Sequence, residues 1–110
     1  MVGEYLISIK RVSETQMLVT TDKNKYALVP QGDWMHEAWI HSYPEEYKQS
    51  TGLITKVNDS GYCYSIITEN GYNDIELRVE YGYEGEFNVT KMSNDILIWQ
   101  WGKDDSYEEI

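Results

Sequence analysis

The sequence predicts a mostly β protein. It reads as an antiparallel up-and-down meander of about seven or eight strands, closed as a barrel or a two-layer sandwich, with one or two short helices around 33–50. Three observations carry that expectation. Most segments alternate apolar and polar residues, clusters of turn-forming residues recur at short intervals, and helical periodicity occurs in one stretch only. The structural alternative is an α+β fold in which 33–50 packs as a helix across one sheet.

Segment 4–12 (EYLISIKRV) is β-rich and predicts a strand with Tyr5, Ile7 and Ile9 on one face. A polar turn over 13–16 leads to a strand at 17–21, and Asp22-Lys23-Asn24-Lys25 turns the chain into 26–30. Pro30 is expected to end that strand, because proline lacks the donor a ladder needs. Between 33 and 50 the alternation stops. Asp33 can cap a helix running through Trp34 to about His41, with Trp34, Ala38 and His41 on its packed side. Pro44 suits the first turn of a second helix, whose positive end Glu45 and Glu46 would favour.

Strands return from Leu53, punctuated by turns at 58–61, 70–71, 83–85 and 93–95, and the last is expected at 96–101 (ILIWQW). Asn70-Gly71 is a strong hairpin signal, since both turn positions need φ > 0. A two-residue loop there sets Ile66 opposite Ile75, Tyr64 opposite Leu77 and Tyr62 opposite Val79. The preceding turn sets Val57 opposite Tyr62, Thr55 opposite Tyr64 and Leu53 opposite Ile66. A third hairpin, with Gly85 in its loop, sets Tyr81 opposite Phe87 and Val79 opposite Val89. All three registers place the apolar residues on one face, and a one-residue slip would turn that face to water. The domain organisation that follows is one acidic β-rich domain over 1–102 and a flexible acidic tail over 103–110.

Nine Lys plus Arg stand against nineteen Asp plus Glu, a formal charge of −10 in 110 residues. Direct binding to nucleic acid draws its affinity from cations that neutralise phosphates, and anionic lipid needs basic clusters, so neither partner is expected. The excess is uneven: residues 1–55 hold seven acids and five bases, and residues 56–110 hold twelve acids and four bases. Cys63 is the one cysteine, so an internal disulfide and a multi-thiolate metal site are excluded. The N-terminal stretch lacks the pattern of a secretory signal, and a cytoplasmic location is the expectation.

The candidate site residues come from the opposite face of the 73–82 strand. Asp74, Glu76, Arg78 and Glu80 point outward there, and Glu84 and Glu86 continue the negative charge. Asp74, Glu76, Glu80, Glu84 and Glu86 are therefore the candidate acidic contacts for a cationic partner. Carboxylates at i and i+2 stand roughly 6.7 Å apart along a strand, and one row interrupted by Arg78 suits electrostatic steering better than a replica of DNA. The candidate aromatic contacts are Trp39, Tyr43 and Tyr47, which lie on the irregular segment with acids nearby.

No metal or cofactor is expected. His36 and His41 are separated by five residues, about 140° around a helix, and cannot share a face as the ligands of a His-Glu-x-x-His motif do. No nucleophile elbow, phosphate loop or dinucleotide fingerprint is present, and the paired carboxylates sit where nothing would raise a pKa, so the chain reads as a non-enzyme. In type, a short, acidic, aromatic chain resembles phage-encoded inhibitors and toxin-immunity proteins, a similarity carried by no motif. The leading expectation is an acidic binding protein that inhibits or neutralises a basic macromolecular partner, such as a nuclease or another nucleic-acid-binding protein. The alternatives are a small-ligand or carbohydrate-binding β-module and a structural or assembly subunit.

Overall fold

The computed structural model describes residues 1–32, 38–43, 49–79 and 85–92. Eight strands form one antiparallel sheet: β1 (Tyr5–Ser13), β2 (Gln16–Thr21), β3 (Lys25–Gly32), β4 (Ala38–Ser42), β5 (Gly52–Asp59), β6 (Cys63–Thr68), β7 (Gly71–Val79) and β8 (Gly85–Lys91). Their order is β4-β7-β6-β5-β1-β2-β3-β8. Two local meanders, β1-β2-β3 and β5-β6-β7, meet where β1 pairs with β5, and β8 and β4 extend the two ends. The expected mostly β meander is therefore the fold. The strand expected at 96–101, the tail at 103–110 and the 33–37 and 44–48 portions of the expected helices lie outside the described residues.

Several local expectations are corrected. Residues 38–42 form β4 and not the end of a helix: Ala38 and Ile40 are buried, Trp39 is half-buried and His41 is exposed, a period of two that fits pairing with β7. The hairpin expected between β7 and β8 does not form. Val79 pairs with Ala38 and Phe87 pairs with Pro30, so each strand finds its partner elsewhere in the chain. Strand β3 runs through Pro30 to Gly32, and this is tolerated because its pairing with β2 stops at Leu28, leaving Pro30 paired only to β8. In β1 an irregularity between Leu6 and Ser8 puts Leu6 and Ile9 in the core and turns Tyr5 and Ile7 outward.

The β6–β7 hairpin turns at Glu69-Asn70, one residue earlier than expected. Tyr64 therefore faces Ile75 and Ile66 faces Asn73, a shift of two that keeps every side chain on its expected face. Thr68 reinforces this turn, its Oγ1 accepting from the Asn70 amide at 3.1 Å. Gly71 closes it at φ +145, where an added Cβ would also stand 2.7 Å from Ser50 Oγ. On β5 the partner of Ile66 is Val57 and not Leu53, and an irregularity between Ile54 and Lys56 makes Ile54 the buried residue.

The sheet coils so that both halves share one core, in which Ile9, Met17, Leu28, Ile54, Ile66, Ile75 and Phe87 are buried together. Tyr64 of β6 meets Phe87 of β8 edge to face, with centroids 5.5 Å apart. Strand β1 and the turn that follows it serve three neighbours. It pairs with β5 at Leu6. At Ile9 its amide and carbonyl meet the Gln49 carboxamide at 2.9 and 2.7 Å, and further on the Glu14 carbonyl accepts from the Ile40 amide at 2.7 Å. The side chain of Gln49 thus stands in for a strand where β5 has diverged and β4 has not yet arrived.

Gly85 allows β8 to pass beneath β7. A Cβ there would overlap Val79 Cγ2 and Leu77 Cδ2. Gly85→Val is expected to cost about 2–3 kcal/mol through overpacking, read as a lowered urea midpoint with an unchanged slope.

Candidate interaction surface

Strand β7 is buried on one face and charged on the other because its sequence alternates strictly. Asn73, Ile75, Leu77 and Val79 are buried, and Tyr72, Asp74, Glu76 and Arg78 are exposed. The inner residues anchor the strand in the core, so the outer carboxylates stand on a rigid support. On the β6 side Asp74 faces Ser65 and Glu76 faces Cys63; on the β4 side Glu76 faces Ser42 and Arg78 faces Trp39. Ser65 Oγ donates to Asp74 Oδ1 at 2.6 Å, which fixes that carboxylate's rotamer.

Cys63 reports the sign of this face. Its thiol is pushed above the ordinary range first by burial and then by the nearby charges of Asp74, Glu76 and Asp59, against a lowering by its hydrogen bond with Ser65. Burial and those charges both disfavour the thiolate. Among the described residues no group of His, Cys, Asp and Glu could hold a metal ion.

The sequence-predicted contacts divide into five groups. Asp74 and Glu76 share the outer face of β7. Glu86 is exposed but stands on β8 opposite Gln31 of β3, so it does not extend their row. Trp39 lies on the outer face of β4, half-buried beside Arg78. Tyr43 is corrected: its ring belongs to the core and its hydroxyl donates to the Ile9 carbonyl at 2.9 Å, which withdraws it from the surface. Glu80, Glu84 and Tyr47 lie outside the described residues.

Tyr72 was missed by the sequence reading although it shares the parity of Asp74 and Glu76, and at 71% it is the most exposed of the large apolar side chains among the described residues. Leu53, Ile67 and Tyr5 also reach the outer face. The signal available for Tyr72 was that parity alone.

Among the described residues one acid, Glu4, is buried. It sits at the junction of β1, β2 and β3. Its Oε1 accepts from Thr21 Oγ1 at 2.5 Å and Asn24 Nδ2 at 3.0 Å, and its Oε2 from the Tyr26 hydroxyl at 2.7 Å. The Met1 ammonium stands 3.3 Å from Oε2. Burial by itself pushes this carboxyl up, but the donors from Thr21, Tyr26, Asn24 and the ammonium outweigh it and hold the carboxyl at about 2. Burial, and then the bond to Glu4 with its charge, push the Tyr26 hydroxyl up to about 12. The cluster is a structural pin with its donors turned inward.

Set against known proteins, the chain matches no family model, no curated protein and no solved structure. Its function has to be argued from its own residues.

Proposed function

We propose that this chain is a non-enzymatic acidic binding protein that neutralises a basic macromolecular partner, with nucleases and other nucleic-acid-binding proteins the class whose charge fits. The observation that carries the reading is the outer face of β7. Asp74 and Glu76 project from a strand whose other side is locked in the core, with aromatic side chains beside them at Trp39 and Tyr72. The formal charge of −10 supplies the long-range field that speeds encounter with a cation, and aromatic neighbours supply area that excludes water once contact is made. Inhibition then follows from occupancy, because a partner's phosphate-binding cations cannot serve two anions at once.

The test is kinetic. Association of the chain with a panel of basic nucleases is measured by stopped flow over rising NaCl. Asp74→Lys with Glu76→Lys is expected to slow association roughly tenfold at low salt and to flatten the salt dependence, with a smaller effect at high salt. Unchanged association rates and salt slope for every nuclease bound would remove this face from the interaction.

A further inference from the structure

The outer face carries more than charge. Tyr5 of β1 stands directly opposite Leu53 of β5, and Ile67 of β6 stands directly opposite Tyr72 of β7. The Glu69 amide donates to the Leu53 carbonyl at 2.9 Å, which sets Leu53 against Glu69 and makes Ile67, two residues earlier on β6, its diagonal neighbour on the same face. The four side chains form an oblique apolar stripe across β1, β5, β6 and β7, exposed at both ends, with Tyr5 at 51% and Tyr72 at 71%. Three strand spacings of roughly 4.8 Å and one two-residue step of roughly 6.7 Å along the strands give it a length of about 16 Å. An α-helix covers that length in about eleven residues, or three turns.

The charges around the stripe are mostly negative. Asp74 and Glu76 continue from Tyr72 along β7, Glu69 stands at the hairpin tip, and Asp22 holds the Tyr5 amide through Oδ1 at 2.9 Å. Lys56 stands in the same row as Ile67 and Tyr72 and, on β5, lies on the Asp74 side of the stripe. An occupant matching both features needs an apolar ridge for the stripe and cations at the end that lies over β7, beside Asp74 and Glu76.

We infer that the oblique stripe Tyr5–Leu53–Ile67–Tyr72, with Asp74 and Glu76 continuing along β7 from its Tyr72 end, is a docking site for a cationic amphipathic helix of the partner. This rests on the proposed function and narrows it. The partner's contact element is a helix bearing Lys or Arg beside an apolar ridge, laid across the strands with its ridge on the two tyrosines. The carboxylates govern how fast it arrives and the tyrosines govern how long it stays.

The experiment uses the full chain and a labelled synthetic peptide of Leu and Lys, about 18 residues long and patterned for one apolar face. Three comparison peptides accompany it: a scramble of the same composition, an oligolysine of equal charge, and a Leu/Glu helix of equal amphipathicity. Fluorescence anisotropy at low salt is expected to show the Leu/Lys helix binding at least about tenfold tighter than any of the three. Tyr5→Ser with Tyr72→Ser, two exposed positions where substitution has little effect on folding, is expected to abolish that advantage through faster dissociation while leaving oligolysine binding as it was.

Equal binding of the helix and its scramble, equal binding of the Leu/Glu helix, or no loss in the tyrosine variant would each overturn the docking site. So would light scattering showing that the two tyrosines instead close a dimer of this chain. If the helix advantage fails while Asp74→Lys with Glu76→Lys still slows association with the nucleases, the broader reading survives without this site. If that charge reversal changes neither nuclease nor helix binding, both fall.

Discussion

Asn73→Leu is expected to destabilise the protein by about 3 kcal/mol, because three backbone groups, the Ser50 amide and the Ser50 and Ile66 carbonyls, lose a partner they were folded around. Asn73 is 1% exposed and sits on the core face of β7, where its neighbours are apolar. Its Oδ1 accepts from the Ser50 amide at 3.0 Å, and its Nδ2 donates to the Ser50 carbonyl at 2.8 Å and the Ile66 carbonyl at 3.2 Å. The carboxamide thus pairs with Ser50 as a neighbouring strand would. Leucine keeps asparagine's branched four-atom skeleton but is bulkier, so the loss combines overpacking with the unpartnered Ser50 amide, while Thr68 Oγ1 still donates to the Ser50 carbonyl. Urea unfolding of wild type and variant checks it, and a change below about 1 kcal/mol would mean that water or another side chain had replaced the amide.

Glu4→Ala is expected to cost on the order of 2–3 kcal/mol at neutral pH, since it strips the shared acceptor from Thr21, Asn24 and Tyr26. The wild type carries the matching pH dependence. A carboxyl lowered from 4.5 to about 2 by folding contributes stability that is fully present above the unfolded value, and that contribution is lost as pH falls through the folded one. Stability of the wild type should decline between about pH 5 and pH 2 more steeply than that of the variant. Parallel declines measured by thermal unfolding across that window would show that the pin has no special linkage to acid.

Much of this architecture was legible because it is local. The alternation of 73–79 separates Asn73, Ile75, Leu77 and Val79 from Asp74, Glu76 and Arg78 without any knowledge of partners. The β6–β7 turn moved by one residue, yet parity survived, since a two-residue shift in register leaves each side chain on its face. Pairings between distant segments were not legible. Nothing near Phe87 announces that it will face Pro30, and turn chemistry around Gly85 pointed to the nearer strand. The same gap explains β4: Asp33 and Pro44 punctuate the chain as helix ends do, while the decisive fact, β7 offering Leu77 and Val79 to Ile40 and Ala38, lies almost forty residues away.

Site residues followed the same division. Asp74 and Glu76 were found by alternation, and Tyr72 could have been. Tyr43 could not be placed, because its burial depends on Ile9 offering a carbonyl from a strand far earlier in the chain. Glu4 reads in the sequence as a charge interrupting an apolar run, and only the convergence of Thr21, Asn24 and Tyr26 makes burial tolerable there.

The strand order has a kinetic consequence. The β1-β2-β3 and β5-β6-β7 meanders close short loops, whereas the β3–β8 ladder joins residues as distant as Tyr26 and Lys91. Loop-closure entropy penalises that ladder most, so the meanders gain structure first and β8 is added late. Until it arrives, β3 keeps an unpaired edge and Tyr64 lacks its Phe87 cover. The exposure of that edge to other nascent chains is therefore set by how quickly β8 docks, and the Gly85→Val clash with β7 would prolong it.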